Sequence, residues 1–72
     1  MTKDEEKALA RLLEDLIDRY GIDHFLSMSG YVAGEKAEHL ATIWQDTSRA
    51  KAWMHISNAL DKLVAKAEEW KL

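Results

Sequence analysis

Apolar residues recur at helical spacing along almost the whole chain, in three runs separated by two short breaks. In the first run Leu9, Leu13, Leu16 and Tyr20 lie along one line, with Leu12 and Ile17 widening it. Steps of three and four residues keep side chains on one face of an amphipathic helix. Thr2 followed three residues later by Glu5 has the form of a capping box, and Asp4, Glu5 and Glu6 place negative charge at the positive end of a helix dipole. Gly21 fits a C-terminal cap, and Ile22 the apolar residue that follows one. The pattern predicts a helix over residues 3 to 20.

The last run opens after Gln45-Asp46-Thr47-Ser48, whose short polar side chains compete for backbone hydrogen bonds and favour a turn followed by a helix N-cap. Trp53, Ile56, Leu60, Leu63, Ala67 and Trp70 then keep a three-four spacing, flanked by Val64, which is a heptad-like seam. A helix over residues 48 to 70 is expected, packed in a bundle with antiparallel neighbours joined by short loops.

Between them, Leu26, Ala33, Ala37, Leu40 and Trp44 form one stripe, while Phe25, Met28, Val32 and Ile43 form a second on an adjoining side. Both stripes run through Gly30 and Gly34. The chain has no proline, and no Asn-Gly or Asp-Gly pair marks a tight turn here. A single helix over residues 23 to 45 is the preferred reading, with a kink or a break at the glycines as the alternative. A glycine in a helix interior costs about 1 kcal/mol relative to alanine. Two of them in one helix therefore call for close approach of a second helix, or a bend. Together the three runs predict an all-α fold. They form a single helical domain, residues 1–72, built as a three-helix bundle with a long central helix and completed by homo-oligomerisation, a homodimer being the simplest form.

Size supports self-association. A chain of 72 residues buries only about 60% of the surface its unfolded form exposes. Roughly 1.5 kcal/mol of conformational entropy per residue then nearly cancels the apolar burial, so small domains add disulfides, a metal or a second subunit. With no cysteine, disulfides and thiolate metal sites are excluded.

Charge narrows the partners. Ten Lys and Arg against thirteen Asp and Glu leave a formal charge of −3, and the basic residues are scattered. Nucleic-acid affinity rests on neutralising phosphates with a basic patch, so direct nucleic-acid binding is not expected. The N-terminal MTKDEEKALARLL is charged where a secretory signal needs an apolar core, and no stretch approaches the ~20 apolar residues of a membrane span. A cytoplasmic protein without membrane contact is expected.

Chemistry is sparse. Glu35, Glu38 and His39 lie at helical spacings, and His24 and His55 offer further imidazoles. Metal sites in helical bundles use Glu-x-x-His repeated on separate helices, whereas this chain offers Glu-x-x-Glu-His once. A solvated face with a weak Glu35–His39 pairing is the preferred reading, and no metal or other cofactor is expected. Ser27, Ser29, Ser48 and Ser57 lie in no nucleophile elbow, and no phosphate-binding glycine loop occurs. The chain is not expected to be an enzyme.

The aromatic residues point instead to binding. Tryptophan is enriched at the energetic centres of interfaces, and Trp44, Trp53 and Trp70 are many for so short a chain. Trp53 is expected in the core by its spacing. Trp44 beside the turn, Trp70 near the C-terminus, and Tyr31 off the main stripe are expected to meet partners, together with the Gly30 and Gly34 surface.

Tyr20-Gly21, Glu35-Lys36-Ala37-Glu38-His39, Trp44-Gln45-Asp46 and Ala50-Lys51-Ala52-Trp53 resemble small uncharacterised helical proteins of bacteria and their phages. The resemblance implies no reaction. It implies an accessory role, such as binding and blocking a larger host protein complex, including one that handles nucleic acid. Two function classes follow: a protein-protein interaction module acting as adaptor or inhibitor through its helical faces, and a structural homo-oligomeric assembly protein with no separate partner.

Overall fold

In the computed structural model, which describes residues Met1–Leu72, helix α1 (Lys3–Tyr20) begins where the capping chemistry places it. The Thr2 hydroxyl accepts from the Glu5 N–H at 3.1 Å, and the Glu5 carboxylate accepts from the Thr2 N–H at 3.3 Å. Two otherwise unpaired backbone donors are thereby satisfied. Gly21 ends α1 and also precedes helix α2 (Ile22–Thr42): its N–H donates to the Ile17 carbonyl at 2.8 Å, and its own carbonyl accepts from Phe25 at 3.0 Å. Its φ of +87° is a conformation that side chains other than glycine rarely adopt.

Helix α2 begins one residue before the expected start and runs unbroken through Gly30 and Gly34, but it ends three residues before the expected limit. The chain reverses through Trp44 and Gln45, where Gln45 takes a left-handed φ of +51°, and the Asp46 N–H donates to the Leu40 carbonyl at 2.8 Å. Helix α3 (Thr47–Glu69) starts with the Asp46 carboxylate accepting from the Arg49 N–H at 3.1 Å. It ends with Lys71 in the left-handed region, while the Leu72 N–H donates to Ala67 and the Lys71 N–H to Glu68. That is the bond pattern of a Schellman cap. Because Gln45 holds a conformation that disfavours a Cβ, Gln45→Gly is expected to raise stability by about 0.5–1 kcal/mol. Equilibrium urea unfolding would register this as a higher midpoint at unchanged slope.

Helices α2 and α3 form an antiparallel hairpin, with Ala37 near Ala50 at the turn and Gly30 beside Ser57, Leu60 and Asp61 farther along. The buried residues are all small: Gly30, Ala33 and Ala37 on α2, and Ala50 and Ala67 on α3. Small side chains let two backbones approach closely, and the Ser57 hydroxyl uses that proximity to donate to the Gly30 carbonyl at 2.9 Å. No ion pair links two helices. Asp15–Arg19, Asp46–Arg49 and Lys66–Glu69 are exposed pairs, each lying within or at the end of one helix, of a kind worth little.

The α3 seam is rotated from the expected one. Ala50, Trp53, Ser57, Leu60, Val64 and Ala67 form the less exposed line. Ile56, Leu63 and Trp70 remain about half exposed or more. Trp53, expected in the core, is only partly buried, and no large side chain anywhere is fully buried.

A bundle in which all three helices pack together is not formed within one chain. Helix α1 meets α2 only sparsely and has no Cα within 8 Å of one in α3. No residue of α1 is buried. The radius of gyration is 14.4 Å, whereas a compact chain of this length has about 11 Å. The molecule measures 37 × 35 × 15 Å. At 1.5 Å rise per residue the hairpin accounts for about 35 Å, and a third helix lying along it would leave the other dimensions short. Helix α1 therefore leaves the hairpin at a wide angle, and the chain has the shape of an L with a short arm (α1) and a long arm (α2 and α3).

Candidate functional site

The corner of the L is an open groove of about 740 Å³. Leu16 and Tyr20 wall it from α1, Phe25, Met28 and Val32 from α2, and Trp53, Ile56 and Leu60 from α3. Each set follows from helical periodicity. On α2 the line through Phe25, Met28 and Val32 adjoins the small-residue line that meets α3. On α3, Ile56 lies beside the Trp53–Leu60 seam, on the side away from Ser57. On α1, Leu9 and Leu13 extend the line of Leu16 and Tyr20 outward from the corner, so the apolar surface continues along the short arm.

Polar groups are few and lie at the rim. The Lys36 ammonium stands 5.6 Å from the centre of the Trp53 ring, a cation–π contact. The His24 ring lies 6.4 Å from that of Tyr20. The groove thus presents an apolar floor with one charge at its edge. It is suited to receiving an apolar helix face.

A second, shallow depression lies over the opposite side of the hairpin and is lined by polar groups, among them Tyr31, Glu35, Glu38 and Asp61. Gly30 and Gly34 form part of its floor. The expected contact residues Gly30, Tyr31 and Gly34 are therefore neighbours. Gly30 is buried against α3, Gly34 half-buried, and Tyr31 62% exposed. Trp44 is 73% exposed in the turn and Trp70 62% exposed at the far end of α3. Because the hairpin is antiparallel, these two indoles stand at opposite ends of it and do not share a surface with each other. Of the five residues, the structure brings three together and leaves the tryptophans apart.

Glu35, Glu38 and His39 share one side of α2, but no three Asp, Glu or His side chains converge in an arrangement that could hold a metal ion. No helix is long and apolar enough to cross a membrane.

No protein-family model matches this chain, and neither a curated protein nor a solved structure is significantly similar to it.

Sequence spacing alone missed the groove. Its floor combines the second stripe of α2 with Ile56 of α3, residues that the sequence reading placed on helix faces but not together. The available signal was the surplus of large apolar residues on two adjoining sides of both helices, more than a two-helix contact can cover.

Proposed function

We propose that this protein is a small non-catalytic interaction module that works as a homodimer and binds a larger protein complex as adaptor or inhibitor. The observation that carries this reading is the exposed area. The chain exposes 6008 Å², whereas a compact monomer of its mass exposes about 4,600 Å². The excess of about 1,400 Å² exceeds the ~800 Å² that each partner contributes to a standard interface. Much of it lies on large apolar side chains, including Leu12, Met28, Val32, Ile56 and Leu63. Exposed apolar surface of this extent marks interaction sites. Domains are built from packed layers around a core, and a second copy would supply the layer that one L lacks.

The separate partner is assigned to the outer surface around Tyr31, with Gly30 and Gly34, and to the terminal indoles Trp44 and Trp70. The resemblance to small helical proteins of bacteria and their phages fits such an accessory role. The exposed area equally favours the structural alternative, in which self-association consumes the apolar faces and no other partner exists.

Sedimentation equilibrium combined with affinity capture from the source cell separates the readings. A dimer at micromolar concentration is expected, with a stoichiometric captured protein that is lost on Tyr31→Asp while the dimer persists. A dimer that captures nothing reduces the function to structural assembly. A monomer at every concentration would defeat the homodimer in both readings.

A further inference from the structure

Resting on the homodimer reading above, we propose that the groove of each chain is occupied by the α1 arm of a second copy, so that two L-shaped chains exchange arms about a two-fold axis. The first ground is the length of the linker. Antiparallel helices need a connection of about two to five residues, and α1 and α2 are joined by Gly21 alone. Both backbone polar groups of Gly21 are committed, one to each helix. A Cβ there would approach the Asp23 carboxylate to 2.9 Å, and the φ of +87° already holds the chain in a turn. The arm therefore touches its own groove only through Leu16 and Tyr20 and does not fold back over it, although it carries an apolar stripe that would fill it.

The second ground is complementarity. Beyond the Leu16 that walls its own groove, helix α1 presents Leu9 and Leu13 in line and exposed, anchors suited to an apolar groove. Glu6, three residues before Leu9 and seven before Leu13, lies at the edge of that stripe and has no ion-pair partner in its own chain. Lys36 at the groove rim has none either. An arm laid in the groove of another copy brings this carboxylate to a groove whose rim is basic. Reciprocity follows from two-fold symmetry: each chain offers one arm and one groove, so exchange closes the assembly at two copies and leaves no open end. The third ground is the excess area, which is large enough for both halves of the exchange.

The test lengthens the linker. Inserting Gly-Ser-Gly-Ser after Gly21 gives the arm a loop long enough to reach its own groove. The variant is expected to keep its helical circular dichroism while its dimer dissociation constant rises at least tenfold, giving monomers at concentrations where the native chain is dimeric. In parallel, the cysteine-free chain permits placed cysteines. Mixed Leu13→Cys and Val32→Cys chains, treated with a short bismaleimide, should form hetero-crosslinks between arm and groove in preference to Leu13→Cys homo-crosslinks. A native dimer whose mass survives linker extension and which cross-links arm to arm would overturn the exchange while leaving the homodimer standing. A native monomer would remove the homodimer itself. Should the extended variant fail to fold, the cross-linking pattern decides alone.

Discussion

Gly30→Leu is expected to lower stability by about 3 kcal/mol, the upper part of the range for overpacking. A midpoint drop of roughly 15 °C would follow for a domain of this size. A Cβ at Gly30 would lie 3.1 Å from the Asp61 carboxylate oxygen, 3.5 Å from the Leu60 Cβ and 3.6 Å from the Ser57 carbonyl. A leucine there must push α3 away, which also breaks the Ser57 hydroxyl bond to the Gly30 carbonyl. Gly30→Ala is a different case. The tightest contact is the end of a flexible Asp61 side chain, so the gain in helix propensity roughly offsets the crowding. Gly34 meets only the Ser57 hydroxyl, at 3.6 Å, and Gly34→Ala should stabilise by about 0.5–1 kcal/mol. Thermal melts at one fixed protein concentration check all three variants. Equal sensitivity to leucine at both positions would contradict close approach at Gly30 specifically.

The two glycines show how far the sequence could be read. Their place inside one helix was legible, because the apolar stripes pass through them without a change of phase. Their inequality was not, because it depends on which residue of α3 stands opposite. The start of α1 was legible for a local reason: Thr2 and Glu5 satisfy each other's backbone donors whatever the rest of the chain does. The end of α2 was misplaced because Trp44 extends the stripe in spacing, while the backbone leaves the helix after Ile43 and reverses at Gln45, where φ is +51°.

The rotation of the α3 seam has a physical cause. Periodicity weighted by large apolar residues finds the line with the most of them, here Ile56, Leu63 and Trp70. Close helix approach instead selects the line with the smallest, here Ala50, Ser57 and Ala67. The large residues are left exposed, Ile56 among them facing the groove, and the all-helical class survives the error because both lines have the same period. The three-helix bundle, expected to be completed by homo-oligomerisation, was the part of the fold least supported locally. It depends on the length of the link at Gly21, and a single residue there holds α1 apart from its own hairpin.

A charge placed on the inner surface of either arm should abolish self-association, whereas one on the outer surface should not. Leu13 and Ile56 are 37% and 46% exposed in the single chain, so Leu13→Asp and Ile56→Asp cost an isolated chain little beyond helix propensity. In a two-fold dimer that buries the inner surface, each substitution forfeits the burial of the exposed fraction only, about 0.6–1.4 kcal/mol in each of the two copies, and adds the penalty of desolvating a carboxylate in each. The expected loss is at least about 2.7 kcal/mol, a hundredfold rise in the dissociation constant. Tyr31→Asp lies on the opposite side of the hairpin and should leave the dimer within about twofold, or 0.4 kcal/mol. Analytical ultracentrifugation over a concentration series, with circular dichroism as the control for folding, measures all three. If Tyr31→Asp dissociated the dimer while Leu13→Asp did not, the interface would belong to the glycine-bearing side of α2, and the groove would be free for the separate partner.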